Sequence, residues 1–205
     1  MSGGLRAEVA RSEESLRACY RLRYEVMCRE LGWVSEDSCP GGLEMDEYDV
    51  FQAVSFLAYD GEQQVVGTVR LILSGELPLP VQRHFALQPW QQIEAAHGRI
   101  GGYGEVSRFV VPPHPRFKRH EITLGLCGAV IAEAEGLQLT HLFMSADKRF
   151  YRLLRMLGFP IAQVGRSRFY MGSETIPAVF PIGRLKEKAL LYEKLTGRKA
   201  VEAAA

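Results

Sequence analysis

The sequence predicts an α/β fold in which a mixed central sheet carries helices on both faces. Three observations point to it. Strand-like and helix-like segments alternate, in the order strand, helix, hairpin, strand, helix, strand, helix, strand, strand. Asp60-Gly61 stands between two apolar runs, which marks a hairpin turn. Gly32, Gly101-Gly102, Pro112-Pro113, Gly136, Gly158 and Gly172 punctuate the chain between segments.

Leu5 to Ala10 reads as a short strand. Ser12 is a good N-cap, with Glu13 and Glu14 suited to the first turn, and a helix is expected from there to about Leu31. Residues 33–48 carry few strand signals and are expected to form a long loop, a feature often tied to function. Phe51 to Tyr59 and Val65 to Leu73 read as the arms of the hairpin. Pro78 and Pro80 precede a helix expected near Trp90, and Tyr103 to Val111 is the next strand. Residues 120–135 form an apolar helical stretch closed by Gly136. Thr140 to Ser145 reads as a buried strand. Asp147 then caps a helix with Phe150, Leu153, Leu154 and Leu157 at helical spacing. Ile161 to Met171 and Thr175 to Ile182 read as strands around a turn at Gly172, and a basic amphipathic helix ends the chain. Several folds fit this order, so function has to be argued from a site.

The 205 residues suffice for one domain with a substantial core, expected over residues 1–200, with residues 201–205 as a disordered tail. A net charge of +1 gives no general attraction to nucleic acid or membrane. Two basic stretches, Arg116, Lys118, Arg119 and the run from Arg184 to Lys199, read as solvated helix faces or as docking patches. The 4 cysteines show no C-x-x-C pair and no histidine at ligand spacing, so no metal site is expected. Cys19, Cys28 and Cys127 read as small core side chains. No apolar run is long enough to span a bilayer and no signal peptide is visible, so the cytoplasm is the expected compartment.

Charge is concentrated beside strand-like residues in Glu44-Met45-Asp46-Glu47-Tyr48-Asp49 and in Glu105-Val106-Ser107-Arg108. Buried charge is expensive unless paired. Asp46 and Asp49, with Arg23, Arg70 and Arg108, are therefore expected to form a network. It fastens the long loop to the sheet, walls a polar cleft that binds substrate, or does both, since ordering the loop would close the site.

Arg23-x-x-x-Met27, Trp33, Glu44-x-Asp46-x-Tyr48-Asp49, Arg70-Leu71 and Glu105-x-Ser107-Arg108-Phe109 occur in the order seen in acyl-homoserine-lactone synthases. Lys148 to Phe159, with the aromatic pair Phe150-Tyr151, looks like the last helix and Gly-Phe turn of GNAT acyltransferases. The whole set, with Val66 to Leu71 and Leu77-Pro78-Leu79-Pro80, more closely resembles two sister groups, the long-chain N-acyl amino acid synthases and the exosortase-associated acyltransferases. The likeness covers roughly residues 15–182. Two positions depart from the lactone synthases: Met27 stands where they usually have phenylalanine, and Leu71 leads into Ile72-Leu73-Ser74-Gly75 rather than a Pro-Thr type segment.

The resemblance implies a GNAT-like, mostly antiparallel sheet with a splayed strand pair. It also implies N-acylation: a medium or long acyl chain passing from an acyl carrier protein to the α-amine of an amino acid. The alternatives are homoserine-lactone synthesis from S-adenosylmethionine, a CoA-dependent acyltransferase, and a non-catalytic acyl-binding module. No permanently bound cofactor is expected; the donor is the acyl-phosphopantetheine of the carrier, or else acyl-CoA. Glu105 is the candidate base for the acceptor ammonium, directly or through a water, or else a strand carboxylate paired with Arg108. A regular strand puts residues 105 and 108 on opposite faces, so both serve one cleft only across a bulge. Main-chain donors at Phe109, Val110 and Val111 are the expected oxyanion site. Trp33 is expected in the acyl tunnel or in plain core packing. Phe143, Met144 and Phe150, with Leu153, Leu154 and Met156, are expected to line the channel or the core. Residues 116–123 hold no glycine to shape a pyrophosphate cradle, so Arg116, Lys118, Arg119, Arg149 and Arg152 are expected to dock the acidic carrier.

Overall fold

The computed structural model describes residues 4–184. Eight strands form one sheet, built from β1 (Arg6–Val9), β2 (Ala53–Tyr59), β3 (Val65–Leu73), β4 (Gly102–Val110), β5 (Leu139–Asp147), β6 (Ala162–Gln163), β7 (Arg168–Tyr170) and β8 (Ser173–Pro181). The order is β1-β2-β3-β4-β5-β8-β6, with β7 also paired to β8. Every pairing is antiparallel except β4 with β5. The helices are α1 (Glu13–Arg23), α2 (Glu47–Phe51), α3 (Pro80–His84), α4 (Trp90–His97), α5 (Arg119–Gly136) and α6 (Lys148–Met156). The basic terminal helix and the 201–205 tail expected from the sequence lie outside the described residues.

The strand period sorts side chains between two faces. Phe56, Val69, Leu71, Val106, Leu142 and Met144 pack with Ile122, Leu126 and Val130 of α5. On the other face Leu57 packs with Cys19 and Tyr20 of α1. Ile72, Phe143 and Val179 pack there with Val81, Phe85 and Ile93 of α3 and α4. Arg70 lies on β3 between Thr68 and Ile72 and is fully buried on this second face.

Several expectations are corrected. The first helix leaves α geometry at Tyr24–Glu30, which forms a π-helical turn before Gly32. The loop holds α2 at its end: Asp46 accepts from Tyr48 N at 3.0 Å, and the Asp49 carboxylate accepts from Asp46 N at 3.1 Å, a reciprocal N-terminal box. The expected strand from Ile161 to Met171 is broken into β6 and β7. Between them Gly165 meets Ala86, where a Cβ would lie 2.5 Å from the Ala86 carbonyl oxygen. That crossing holds the segment against the α3–α4 connection instead of in one long ladder.

Two irregularities of β4 shape the site. Thr68 pairs with Val110 but Arg70 pairs with Ser107, so β4 carries one extra residue there. Arg108, at φ +52°, takes up the bulge. On the other edge, pairing with β5 stops at Val106 opposite Met144, although both strands continue. The sheet is splayed beyond that point.

Candidate active site

The bulge and the splay open onto one cavity of about 440 Å³. Glu105, Ser107, Arg108, Phe109, Val110 and Val111 line one wall, and Met144, Ser145, Phe150 and Leu153 the other. Met27, Trp33, Tyr170 and Met171 cover it. A small apolar pocket adjoins this cavity. It shares Val106, Phe109, Met144 and Phe150 with it and reaches Cys127, Ile131 and Phe180.

Glu105 is fully buried. Its Oε2 accepts from Val81 N at 2.7 Å and its Oε1 accepts from Ser145 Oγ at 2.9 Å. Burial pushes its carboxyl up to about 7, against the opposing pull of those two hydrogen bonds and of Arg70 and Arg108. It is not paired with Arg108, whose guanidinium goes elsewhere. A carboxyl poised there can carry a proton in either direction near neutral pH.

Arg108 Nε donates to Glu44 Oε1 at 2.8 Å and Nη2 donates to Asp46 Oδ2 at 3.1 Å. Arg23 grips Asp49 with two bonds of 2.9 and 2.8 Å and also donates to Glu44. Arg70 donates to Asp46 at 2.6 Å, to Asp49 at 2.7 Å and, through Nε, to Ser107 Oγ at 3.0 Å. Three guanidinium groups thus meet three carboxylates. Burial raises Asp49, but hydrogen bonds from Arg23 and the charges of Arg23 and Arg70 outweigh it and hold the group down at about 2. Among the described residues, no buried side-chain nitrogen or oxygen lacks a hydrogen-bond partner.

Arg23, Arg70, Asp46 and Asp49, expected to bind substrate or to fasten the loop, are placed in this network. None of them lines the cavity, because their polar atoms are spent on one another in fastening the loop and α2 to β3. Arg108 alone of the three arginines reaches the cavity. Glu44 belongs to the same network and bridges Arg23 and Arg108, a role its place in the acidic motif already signalled.

Trp33 lies against Gly172, where a Cβ would come within 2.3 Å of the indole Cδ1. At φ +75° that glycine also holds a backbone shape other residues resist. Met144 and Phe150 line the cavity, whereas Phe143 does not. Its ring stacks on Trp90, at 5.6 Å between centroids, inside the α3–α4 cluster. Met156 is 78% exposed because it falls on the outer side of α6. Arg119 and Arg149 stand on the rim of the cavity. Arg116, Lys118 and Arg152 are exposed outside it, and Arg116 is paired with Glu62. Cys127, expected in the core, lines the apolar pocket, where burial pushes its thiol up to about 12. Ser145 and the main chain of Val81 carry no signal in the sequence, since only the tertiary fold brings them to Glu105. Among the described residues no cluster could hold a metal ion, and no helix is long and apolar enough to cross a membrane.

Residues 7–190 match the family described as autoinducer synthase. The chain belongs to that family. It is an acyltransferase, as the family and its curated members are. One relative, a probable acyl-homoserine-lactone synthase of Sinorhizobium fredii, is 31% identical over 75% of this chain and 73% of its own. Among solved structures, the CoA-dependent acyl-homoserine lactone synthase BjaI, with SAM and isopentyl-CoA, superposes with TM-score 0.69 at 21% identity, covering 99% of this chain and 94% of that one. FeeM, an N-acyl amino acid synthase from uncultured soil microbes, gives 0.65 at 18% identity over 94% and 99% of the two chains. These likenesses establish the GNAT-like fold of this autoinducer synthase family member.

Proposed function

We propose that this autoinducer synthase family member makes acyl-homoserine lactones from S-adenosylmethionine and an acyl thioester. The observation that carries the reading is the 31% identity to a curated lactone synthase over most of both chains. This replaces a free amino acid by S-adenosylmethionine as the acceptor. The N-acyl amino acid synthase shares the fold at 18% identity and lends that first expectation no specific support. The departures at Met27 and after Leu71 do not weigh against the lactone. Met27 lines the cavity as another apolar side chain, and Ile72 is fully buried away from it.

In this reading Glu105 takes a proton from the acceptor's α-ammonium, directly or through one water. The freed amine attacks the thioester carbonyl, and main-chain groups of Phe109 to Val111 stabilise the oxyanion. The carbon–sulfur bond breaks and the thiol leaves protonated on the donor arm. The acceptor carboxylate then attacks its own γ-carbon, the carbon–sulfonium bond breaks, and methylthioadenosine leaves as the lactone closes. The acyl chain lies between β4 and β5 and extends past Phe109 and Phe150 into the apolar pocket. Arg119 and Arg149 at the rim, with Arg116, Lys118 and Arg152 outside it, suit a carrier protein with an acidic surface. The product would serve as a cell-density signal, made in the cytoplasm.

The test is incubation of purified enzyme with octanoyl-carrier protein or octanoyl-CoA, offered with S-adenosylmethionine or mixed amino acids, followed by mass spectrometry. Octanoyl-homoserine lactone with the carrier donor is expected. An N-acyl amino acid as the only product would overturn the reading.

A further inference from the structure

His114 stands in the connection from β4 to α5, in sequence between the cavity-lining residues Pro113 and Arg119. Its Nδ1 accepts from two main-chain groups at once, Arg116 N and Phe117 N, each at 3.3 Å. A ring nitrogen that accepts twice carries no proton, so the proton of the neutral ring sits on Nε2. Nε2 lies 3.5 Å from Asp60 Oδ2. The ring also stacks on Phe117 at 5.4 Å between centroids.

Asp60 is a rigid anchor. It sits at the head of the β2–β3 turn, is 4% exposed, and its Oδ1 accepts from Glu62 N and Gln64 N, both at 2.9 Å. The same turn supplies Glu62, which pairs with Arg116. One hairpin tip thus holds the connection at two points, on either side of Pro115.

The main-chain accounting of this connection is unusual. Residues 112, 113 and 115 are prolines and have no N–H. Arg116 and Phe117 give theirs to the His114 ring, and Lys118 gives its own to Glu121 Oε2 at 2.9 Å. Residues 112–118 therefore offer few amides to a phosphate, and the conformation that sets the neighbouring side chains is held by the His114 ring.

We infer that His114, buttressed by Asp60, is a positioning residue for the acyl donor: it sets the turn that presents Arg119 and its neighbours at the rim. The inference rests on the donor reading of that rim but not on which acceptor is used. His114 touches no substrate. Its effect passes through the turn, so it should bear on donor binding and leave the acceptor and the chemical step alone.

The experiment compares wild type, His114→Ala and His114→Asn. Asn Oδ1 can reach the place of Nδ1 and accept the same two N–H groups. Steady-state kinetics with octanoyl-carrier protein and S-adenosylmethionine give both KM values and kcat. Thermal melting checks each variant's fold. His114→Ala should raise the donor KM by about tenfold or more, as expected for a misplaced positioning group. The acceptor KM and kcat should stay near wild type, and His114→Asn should recover most of the donor KM. An unchanged donor KM, or an equal rise in both KM values, would overturn the inference. A folded His114→Asn that behaves like alanine would do so as well. Direct binding of octanoyl-carrier protein, read by fluorescence anisotropy, separates the two proposals. If wild type binds the carrier yet forms no lactone, the functional reading fails while the ratio of affinities still tests His114. If wild type binds no carrier protein, the positioning role fails too.

Discussion

Ser145 Oγ donates to Glu105 Oε1 at 2.9 Å beside the point where β4 and β5 stop pairing. The bond favours the carboxylate while burial disfavours it, and burial prevails, leaving the group at about 7. A base must be ionised to act, so kcat/KM should fall as pH drops below about 7. Ser145→Ala removes a bond to the charged form, so it should move that acid limb to higher pH. Glu105→Gln should lower turnover by roughly a hundredfold to ten-thousandfold, the usual yield of a positioned base. A pH–rate series on the three proteins checks this. A fully active Glu105→Gln would remove the base from the mechanism.

The same burial sets a stability signature. Glu105 is raised from 4.5 to about 7, so its contribution to stability is complete below pH 4.5 and is lost as pH rises through about 7. The loss is on the order of 3 kcal/mol, from the free energy of such a shift. Glu105→Gln should therefore be more stable than wild type at pH 8 and gain little at pH 4.5. Asp49 runs the other way. Lowered from 3.8 to about 2, it contributes above pH 3.8 and loses that as pH falls through about 2. Urea unfolding at pH 8, 4.5 and lower reads both slopes.

Local signals carried much of this architecture. Ser12 and Asp147 cap α1 and α6, Val65 to Leu73 is β3, and the Gly172 turn lies between β7 and β8. Each depends on neighbours in the chain. The requirement for a bulge between residues 105 and 108 was also legible, because a period of two leaves no other way to bring both to one cleft. What stayed hidden was set by distant contacts. The π-helical turn at Tyr24–Glu30 has the composition of an ordinary helix. Arg23, Arg70 and Asp49 could be grouped from sequence, but whether they face substrate or one another depends on how α2 docks. Phe143 reads like Met144 until Trp90 covers it.

The sealed position of Arg23 and Arg70 separates two classes of variant. Arg23→Ala or Arg70→Ala strands carboxylates in the interior, and each should cost about 3–5 kcal/mol of stability. Arg108 has a 13% exposed side chain and reaches the cavity, so Arg108→Ala should lower turnover with a smaller drop in melting temperature. Denaturant curves alongside initial rates would show the split. Equal destabilisation by all three changes would mean that Arg108 is a fastener like the others.

The apolar pocket behind Phe109 and Phe150 should set the longest acyl chain. Cys127 lines that pocket but not the main cavity. Cys127→Phe would fill it and should shift products toward shorter chains, leaving the rate with the shortest donors near wild type. Mass spectrometry of lactones formed from mixed donors gives the distribution directly. An unaltered distribution would place the chain end elsewhere.

Gly172 and Trp33 form a contact that only glycine permits. A methyl at position 172 would sit 2.3 Å from the Trp33 indole and would also hold alanine at φ +75°. The backbone strain alone costs roughly 1–2 kcal/mol. The indole must move, and since it covers the cavity, substrate affinity should weaken. The chain has 2 tryptophans, so a Trp90→Phe background isolates Trp33 emission. In that background Gly172→Ala should shift emission to the red and raise substrate KM. With Trp33→Ala in place, Gly172→Ala should leave substrate KM nearly unchanged, because the partner it displaces is gone, while the backbone strain still lowers stability. Full additivity of the two changes would show that the glycine serves the turn alone and does not seat the indole.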